Sequence, residues 1–567
     1  MPADLVARPR RITVGRPSAA AMVWRYLRHC NQAVWRSPIA AFFTIVFPLL
    51  FLVLLGSLIG NDEIPGTGGV RIAQFLTPAI AAFAATTASF TALSISVAIE
   101  RDEGILKRAR STPLATWMFL SARVGSTVWI AMVSVALMVA VGVAFFGVTL
   151  IWRTLPAALL TLLVGIGCWA ALGLALVALV PTPSATRSLS NAIILPLAFV
   201  SDIFAVGPLP PLLERIGWVF PLKHFVNALA DTFNPFATGT QSSWDHLAVM
   251  AAWGVAGGLV ALRWFHWDPV PHAGPRRRRR ERTMQVGDGP DVAAPDTPAP
   301  AALRPVEHGT RPGVARLVVD QTRYAARAFW RTSASAFFIV GFPVILLLLL
   351  PVVFGNGPMA NRGGVPLTQF LAPVLAVYGA ATAAYADFAQ RVAALRDDGV
   401  LKRIHGTPLP VWAFVAGRIL SAVLIAFASL AITVAVGMVV YGVELVPRAL
   451  PGLLMSVAVG IACFAALGLA LAAVARNARA VPAIANATLL PLAFFSDIFL
   501  VGDVPRWMDV IGFVFPLKHF ANAVADGVNP TIPGAGLYPD HLAMMTLWLI
   551  VGLVVALRAW TWEPRAR

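Results

Sequence analysis

Long apolar runs alternate with short polar segments along this chain. In the first half, six runs are long enough to cross a membrane, because the hydrocarbon core requires about 20 helical residues. They fall near 38–60, 72–99, 116–146, 154–181, 188–207 and 244–265. Since six is an even number, both ends of this set are predicted to lie on one side of the membrane.

The same pattern returns 295 residues later without a gap. The offset aligns Gln74 with Gln369, and the alignment continues through the last apolar run. An internal repeat of this length predicts a duplicated structural unit, here residues 20–270 and residues 315–567. We therefore predict an all-α integral membrane protein with 12 transmembrane helices in two parallel six-helix repeats.

Further segments lie outside the predicted spans. Residues 1–19 are predicted to form a cytosolic tail, and residues 271–314 a disordered cytosolic linker that is basic and rich in Pro and Ala. At the start of each repeat, charged side chains at helical spacing predict an interfacial helix along the membrane surface. Before each last span, apolar segments too short to cross the membrane predict re-entrant or interfacial hairpins on the outer side.

Composition and charge support a membrane protein and indicate its orientation. Only 13% of the residues are charged, against about 25% in an average soluble domain. The net charge is +17, but the arginines cluster beside apolar segments, so no nucleic-acid partner is predicted. Arg and Lys concentrate on one side of the spans, which predicts cytosolic termini. The preference for Arg over Lys favours a bacterial protein, and hence the plasma membrane of a bacterium. The tract from Arg276 to Arg280 either binds anionic membrane lipid or only sets the orientation.

A charged segment with a central glycine separates the second and third spans of each repeat. It reads ERDEGILKRARSTP at residues 100–113 and LRDDGVLKRIHGTP at residues 395–408, and we call each copy a knuckle. Gly104 suits the left-handed residue that closes a helix. The knuckle combines both charge signs with the apolar Ile105 and Leu106, which suits docking to a soluble partner. Membrane orientation alone would require only the basic residues.

The few lysines of the chain also follow the repeat. There are four, and the offset pairs Lys107 with Lys402 and Lys223 with Lys518. Because ammonium and guanidinium groups differ in geometry and hydration, their retention in both copies favours a functional requirement. Simple descent from one duplicated ancestor is the alternative.

The hairpin before each last span carries a second repeated set of polar residues. A proline-containing span ends in SDIF, and VFPLKHF follows in both copies. Either the aspartates and lysines form ion pairs that hold the hairpin against the spans, or the lysines extend to the outer headgroups. The residues concerned are Asp202, Lys223, His224, Asp497, Lys518 and His519.

These motifs together resemble the permease domain of type-2 ATP-binding-cassette (ABC) exporters, including the daunorubicin-resistance-like drug and antibiotic exporters. The resemblance covers both repeats. It implies that each knuckle is a coupling helix seated in a cleft of a cytosolic ATPase, and that the hairpin caps the exit side. In that family a small residue, often Gly, commonly stands where this chain has Asp202 and Asp497. The implied ATPase-coupling residues are Glu100, Arg101, Asp102, Glu103, Gly104, Lys107, Arg108, Arg396, Asp397, Asp398, Gly399, Lys402 and Arg403.

The chain contains no G-x-x-x-x-G-K-[ST] loop, so it lacks the phosphate cradle of an ATPase. The resemblance therefore implies a transporter subunit that is not an enzyme and has no cofactor or metal of its own. ATP and Mg would be bound by two copies of a separate cytosolic ABC ATPase subunit, one at each knuckle. The implied activity is outward movement of a lipophilic or amphipathic small molecule.

Polar residues of the second span in each repeat are candidates for the substrate cavity. In the alternative interpretation, Ser and Thr bond only their own helix backbone. Asp387 is the most unusual of these residues, although Arg391 one turn later would neutralise it. The candidates are Thr87, Thr91, Ser94, Tyr378, Thr382, Tyr385 and Asp387.

Two other classes of protein fit the sequence less well. An ion-coupled transporter with six plus six spans typically carries G-x-x-x-D-R-x-G-R between spans two and three, but Ala98 stands at the first glycine. That class would also need membrane-buried acids, and Asp387 is the one candidate. A membrane-embedded enzyme would need a catalytic constellation, yet the nine histidines show no metal-ligand spacing.

Overall fold

Helices make up most of the residues that the computed structural model describes. Within this part of the chain no β-strand occurs, and the isolated β-bridges are Glu63–Arg71 and Pro358–Pro366. The all-α fold predicted from the sequence is confirmed. Apart from their last two residues, the predicted tail and linker lie outside the described part. The described residues are 18–36, 42–59, 61, 63, 70–111, 115–203, 209–236, 238–268, 313–330, 336–405, 411–478, 480–499 and 505–561.

The helices of the first repeat are numbered α1 to α10 in chain order. They are α1 (Ala19–Trp35), α2 (Phe47–Ile59), α3 (Ala73–Asp102), α4 (Ile105–Arg110), α5 (Thr116–Phe146), α6 (Leu155–Leu179), α7 (Pro183–Val200), α8 (Pro211–Val219), α9 (Pro221–Thr232) and α10 (Trp244–Trp264). Helix α4 lies in the first knuckle, and α8 and α9 occupy the predicted hairpin segment.

The helices of the second repeat, α11 to α20, follow in the same order. They are α11 (Val314–Trp330), α12 (Phe342–Phe354), α13 (Leu367–Asp397), α14 (Val400–His405), α15 (Val411–Tyr441), α16 (Leu450–Val474), α17 (Val481–Phe495), α18 (Arg506–Val514), α19 (Pro516–Val528) and α20 (Pro539–Ala559). In seven of the ten pairs both ends are displaced by 295 residues, as with α1 and α11. The duplication therefore extends from the sequence to the places where helices begin and end.

Among the described residues, nine helical segments are long and apolar enough to cross a membrane. They are Ala73–Asp102, Thr116–Phe146, Trp152–Leu179, Trp244–Trp264, Phe337–Phe354, Leu367–Asp397, Ala416–Tyr441, Pro447–Val474 and Pro539–Ala559. These segments coincide with nine of the twelve predicted spans. The other three predicted spans coincide with α2, α7 and α17, which are shorter or less apolar, so the number twelve stays a prediction.

Contacts between Cα atoms divide the chain into two compact units. The first comprises residues 1–52, 62–180 and 218–267, and the second 53–61, 181–217 and 268–567. Helix α7 belongs to the second unit, where it packs against α12. The repeat at residues 20–270 is thus a unit of sequence and is not coextensive with one compact unit, because its fifth predicted span packs elsewhere.

Small residues bring helices close together inside each unit. In the first unit α6 packs along α10, and a Cβ added at Gly254 would lie 3.1 Å from the Cα of Cys168. In the second unit α16 packs along α20, and a Cβ at Gly552 would lie 2.9 Å from the backbone of Ala466. Such close backbone approach is typical of membrane helices, because lipid offers no hydrophobic drive for their association.

Helices α3 and α13 each contain one π-helical segment, Thr87–Ala92 and Thr382–Asp387. A glycine from the neighbouring helix lies against each segment. A Cβ at Gly173 would be 2.9 Å from the carbonyl oxygen of Phe90, and one at Gly468 would be 2.7 Å from that of Ala384. The wider π turn therefore packs against α6 or α16 only where that helix has no side chain.

A buried glutamine joins three distant segments in each repeat. The side-chain amide of Gln74 donates to the carbonyl oxygens of Thr149 and Phe233, at 3.0 and 2.7 Å, and its oxygen accepts from the backbone N–H of Thr149. Gln369 makes the equivalent bonds to Glu444 and Val528. The start of the second span is thereby tied to the loop between spans three and four and to the end of the hairpin.

Two glycines of α6 allow a matched test of helix packing. A Cβ at Gly165 would lie 2.4 Å from the ring of Phe225, whereas nothing lies within 4 Å of one at Gly167. We expect Gly165→Ala to lower the thermal unfolding temperature in detergent, because overpacking costs about 1–3 kcal/mol. The control Gly167→Ala should leave it unchanged or raise it, since Ala favours a helix by about 1 kcal/mol. Equal effects of the two changes would contradict the packing described.

Candidate functional site

Each knuckle is a short helix that follows a left-handed glycine. Helix α3 ends at Asp102, and Gly104 has a φ of 71° before α4 begins. Gly399 has a φ of 67° before α14. The left-handed glycine predicted from the sequence is therefore present. Its conformation turns the chain sharply, so that the six-residue helix α4 does not continue along the axis of α3.

The knuckle helix is anchored by one leucine and exposes its charged residues. Leu106 is fully buried in a cluster with Phe119 and Trp267, and Leu401 is buried in the second copy. The prediction that Leu106 offers an apolar contact to a partner is thus wrong, because this side chain packs inward. Ile105 is 38% exposed. The exposed charged residues are Asp102, Glu103, Lys107, Arg108 and Arg110, and Asp398, Lys402 and Arg403.

The arginine of each knuckle is buried and bonds to the end of the fourth span. Arg101 is 2% exposed, and its guanidinium donates to the carbonyl oxygens of Val177 and Val180, both at 2.6 Å. Arg396 is 3% exposed and donates to the carbonyl oxygens of Ala472 and Ala475, at 2.7 and 2.9 Å. These guanidinium groups do not lie on a surface that a soluble partner can reach.

The residue before this arginine differs between the repeats. Glu100 forms an ion pair with Arg123, whose guanidinium also lies over the rings of Tyr26 and Phe119. Burial raises the pKa of the Tyr26 hydroxyl, and the charge of Arg123 opposes this rise. The first knuckle is thereby linked to α1 and α5.

In the second repeat, Leu395 occupies the position of Glu100. The equivalent arginine, Arg418, lies over the rings of Tyr324 and Phe414. Asp397 accepts a hydrogen bond from the backbone N–H of Ala478 at 2.6 Å, which ties the knuckle to the chain entering α17. Internal contacts therefore occupy Glu100 and Asp397 as well as the two arginines.

In the second repeat, charged residues of the hairpin and of the segment before α13 form a network. Lys518 lies 3.2 Å from Asp497 and 2.6 Å from Asp509. Arg362 lies 3.4 Å from Asp526 and 3.7 Å from Asp497. Burial raises the pKa of Asp526, and Arg362 opposes this effect. The lysine is thus engaged in the ion pairs that one of the two interpretations expects.

The first repeat lacks the arginine of this network. Thr67, which lies outside the described residues, stands at the position of Arg362. The buried Lys223 ammonium lies 5.1 Å from the ring centroid of Trp218, and Asp231 accepts a hydrogen bond from Ser243 at 2.9 Å. The two hairpins therefore share their helices, and the position of Arg362 is one at which the repeats differ in sequence.

The aspartates that follow the fifth span adopt an unusual backbone conformation. Asp202 has a φ of 61° and Asp497 a φ of 60°, in the left-handed region that glycine favours. Aspartate tolerates this region better than most residues because its short side chain bonds locally.

A pair of histidines in each repeat was not predicted from the sequence. The Nε2 atom of His224 lies 2.9 Å from the carbonyl oxygen of Trp218, so it carries the hydrogen. In the neutral ring Nδ1 is then an acceptor, and the Nδ1 of His246, 2.9 Å away, must donate to it. His519 and His541 repeat this geometry at 2.8 Å.

The signal for these pairs was a spacing of 22 residues in both copies, which does not match any metal motif. A zinc ion would hold its two nitrogen ligands about 3.3 Å apart, farther than these atoms lie. In the described part of the chain, no three His, Cys, Asp or Glu residues come together as metal ligands. The histidine pairs instead bond the hairpin to the start of the last span.

The candidate cavity residues fall into two groups. The hydroxyl groups of Thr87, Ser94 and Thr382 bond carbonyl oxygens of their own helix, at 2.8 to 3.0 Å. For these three the backbone alternative describes the structure. Thr91 is half-buried on the same helix as Thr87.

The second group reaches beyond its own turn of helix. Tyr378 is buried against Phe499, and the hydroxyl of Tyr385 lies 2.9 Å from that of Thr488 in α17. Asp387 pairs with Arg391 at 2.6 Å. The acid that a proton relay would require is thus compensated by an arginine one turn away.

Substitutions at Asp497 can separate the effect of its left-handed backbone on stability from the effect of its charge. Asp497→Gly and Asp497→Ala both remove the carboxylate beside Lys518, but only Ala keeps a Cβ in the left-handed region. We expect the Ala variant to be less stable than the Gly variant by about 1–2 kcal/mol in thermal unfolding. If the two variants unfold at the same temperature, the positive φ is not a constraint on this position.

The histidine pairs predict a defined tautomer. In protein with ¹⁵N-labelled histidine at neutral pH, His224 and His519 should give Nε2–H signals, and His246 and His541 Nδ1–H signals, by magic-angle-spinning NMR. The variants His246→Gln and His541→Gln assign the resonances. An Nδ1–H tautomer at His519 would contradict the hydrogen bond to Phe513.

Comparison with known protein families agrees with the repeated architecture. The family model described as ABC-2 type transporter matches residues 20–234 and 321–528, which are the two repeats up to their hairpins. No curated protein matches the chain. Because the two matched segments cover most of its length, the chain belongs to the ABC-2 type transporter family and is a multi-pass membrane permease component of an ABC transporter.

Proposed function

We propose that this protein is the membrane-spanning subunit of an ABC exporter driven by two copies of a separate ATPase subunit, one docked at each knuckle. The observation that carries the proposal is the pair of knuckles, each with a buried leucine anchor and a row of exposed charges at equivalent positions. Family membership implies an ATPase partner. The sequence contains no phosphate-binding loop, which supports an ATPase on a separate chain.

The docking surface would include fewer residues than the whole knuckle motif. Its members are the exposed residues Asp102, Glu103, Lys107 and Arg108, and Asp398, Lys402 and Arg403. Both charge signs occur within one short helix and its turn, which suits a charged cleft that fixes the register of the partner. The buried arginines and Glu100 would support this surface from below.

The substrate would be a lipophilic or amphipathic small molecule that moves outward. Support comes from the Tyr385–Thr488 hydroxyl pair, a half-buried and an exposed residue among apolar neighbours. Phe90 and Ile193 take these positions in the first repeat, so only the second repeat offers hydroxyl groups here. A polar pair on an apolar wall suits a ligand that is mostly apolar with a few polar groups.

The proposed location is the plasma membrane of a bacterium, with both termini and both knuckles in the cytosol and membrane lipid around the spans. The concentration of Arg and Lys in the tail, the linker and the knuckles supports this orientation. The hairpins would then lie on the outer side.

Exchange of the knuckle lysines tests docking. We expect Lys107→Glu with Lys402→Glu to lower the amount of ATPase recovered with the tagged protein from its native membrane by about tenfold or more, because like charges would meet in the cleft. Lys107→Arg with Lys402→Arg keeps the charge and serves as the control. Quantitative mass spectrometry of the purified complex measures the ratio. Equal recovery with the Glu variants would place the ATPase elsewhere, and no ATPase with the unmodified chain would refute the proposal.

A further inference from the structure

We propose that Arg101 and Arg396 are positioning residues that transmit movement of the knuckles to the cytosolic ends of α6 and α16. This inference rests on the proposed function, since it assumes that an ATPase moves the knuckles. It assigns to these arginines a role that differs from ATPase contact.

The first argument is the geometry of the guanidinium. Helix α6 ends at Leu179, so the carbonyl groups of its last turn have no partner within the helix. Arg101 donates through Nη1 to Val177, in this last turn, and through Nη2 to Val180, the C-cap residue three positions later. A planar fork that holds two carbonyls fixes both position and direction, whereas the three donors of an ammonium group rotate and impose no such fixed direction.

The second argument is that Arg101 bonds both to the knuckle, through its backbone, and to the end of α6, through its side chain. The backbone carbonyl of Arg101 accepts from the N–H of Gly104 at 3.1 Å, while its side chain holds the end of α6. Arg396 and Gly399 repeat this bond at 3.0 Å. Rotation of the knuckle about its glycine would therefore pull on the same residue that holds the fourth span.

The third argument is that the same two helices meet again deeper in the bundle. Gly173 of α6 lies against the π segment of α3, and Gly468 of α16 against that of α13. With a bonded end and a close packing point, α3 and α6 are held together at two levels. A displacement imposed at the end of α3 then moves α6 with it, because a packed core resists continuous deformation.

Burial decides between this role and direct docking. Arg101 and Arg396 are 2% and 3% exposed, whereas Lys107 and Lys402 are exposed on the knuckle. A fully buried residue cannot contact a docked partner directly. It can affect the partner only through the groups to which it is hydrogen-bonded. The retention of both bonds in both repeats, where Glu100 and Leu395 differ beside them, matches a requirement at each knuckle.

The experiment uses the full-length protein purified with its ATPase and labelled at Leu179 and Val474, two exposed residues at the ends of α6 and α16. Electron–electron double resonance reports the distance between the two spin labels, without nucleotide and with ATP and vanadate. In the unsubstituted protein this distance should change on addition of ATP and vanadate. With Arg101→Met and Arg396→Met the change should disappear, and stimulation of ATP hydrolysis by the permease should fall by about fivefold or more. The ATPase should still be recovered in full.

The Lys variants separate transmission from simple capping. Arg101→Lys and Arg396→Lys keep a positive charge at the helix end, which stabilises it, so thermal stability should remain close to that of the unsubstituted protein. The distance change should nevertheless be lost, because the fork is absent.

Arg448→Met is the matched control at the other end of α16. Arg448 likewise donates to two backbone carbonyls, those of Pro530 and Ile532, but it lies far from the knuckle in sequence. This variant should keep the nucleotide-dependent change in distance.

Three results would overturn the inference: a normal distance change in the Lys variants, loss of ATPase recovery in the Met variants, or loss of the change in Arg448→Met. If no ATPase accompanies the unsubstituted chain, the proposed function itself fails and this role of the arginines fails with it.

Discussion

Carbonyl groups at the ends and breaks of helices must find donors, and inside a bilayer water does not supply them. In the described residues this need is met by side chains that recur in both repeats. They are Arg101 and Arg396 at the fourth span, Gln74 and Gln369 at the second, His224 and His519 in the hairpin, and Trp253 and Trp548 in the last span. Most of these bonds join segments far apart in the chain, so together they hold the knuckle, the loops and the hairpin on the spans.

The two repeats differ where this requirement is absent. Glu100 and Leu395 stand at one position, Thr67 and Arg362 at another, and Phe90 and Tyr385 at a third. The bonds to helix ends made by Arg101, Arg396, Gln74 and Gln369 recur in both repeats. Duplication has therefore kept a common scaffold while residues beside the knuckle, before the second span and along the second span became different.

The spans and the repeat could be predicted because apolar length and a constant offset are properties of the sequence itself. The burial of Arg101 could not be predicted, since a charged residue in a short polar segment usually lies in solvent. Its hydrogen-bond partners are 76 and 79 residues away. Leu106 was misassigned for a similar reason, because only the packing of α4 decides which apolar side chain turns inward. The histidine pairs follow a spacing that acquires meaning only when the hairpin meets the last span.

Helix α7 belongs by its contacts to the compact unit that contains α12, although it precedes the linker in the chain. If the two halves were separate polypeptides, this helix would have to leave its own polypeptide and pack on the other one during assembly. Encoding both halves in one polypeptide supplies them in equal number and brings dissimilar partners together before identical ones can pair. A single chain with this order of helices therefore fixes the ratio of the two halves at one to one.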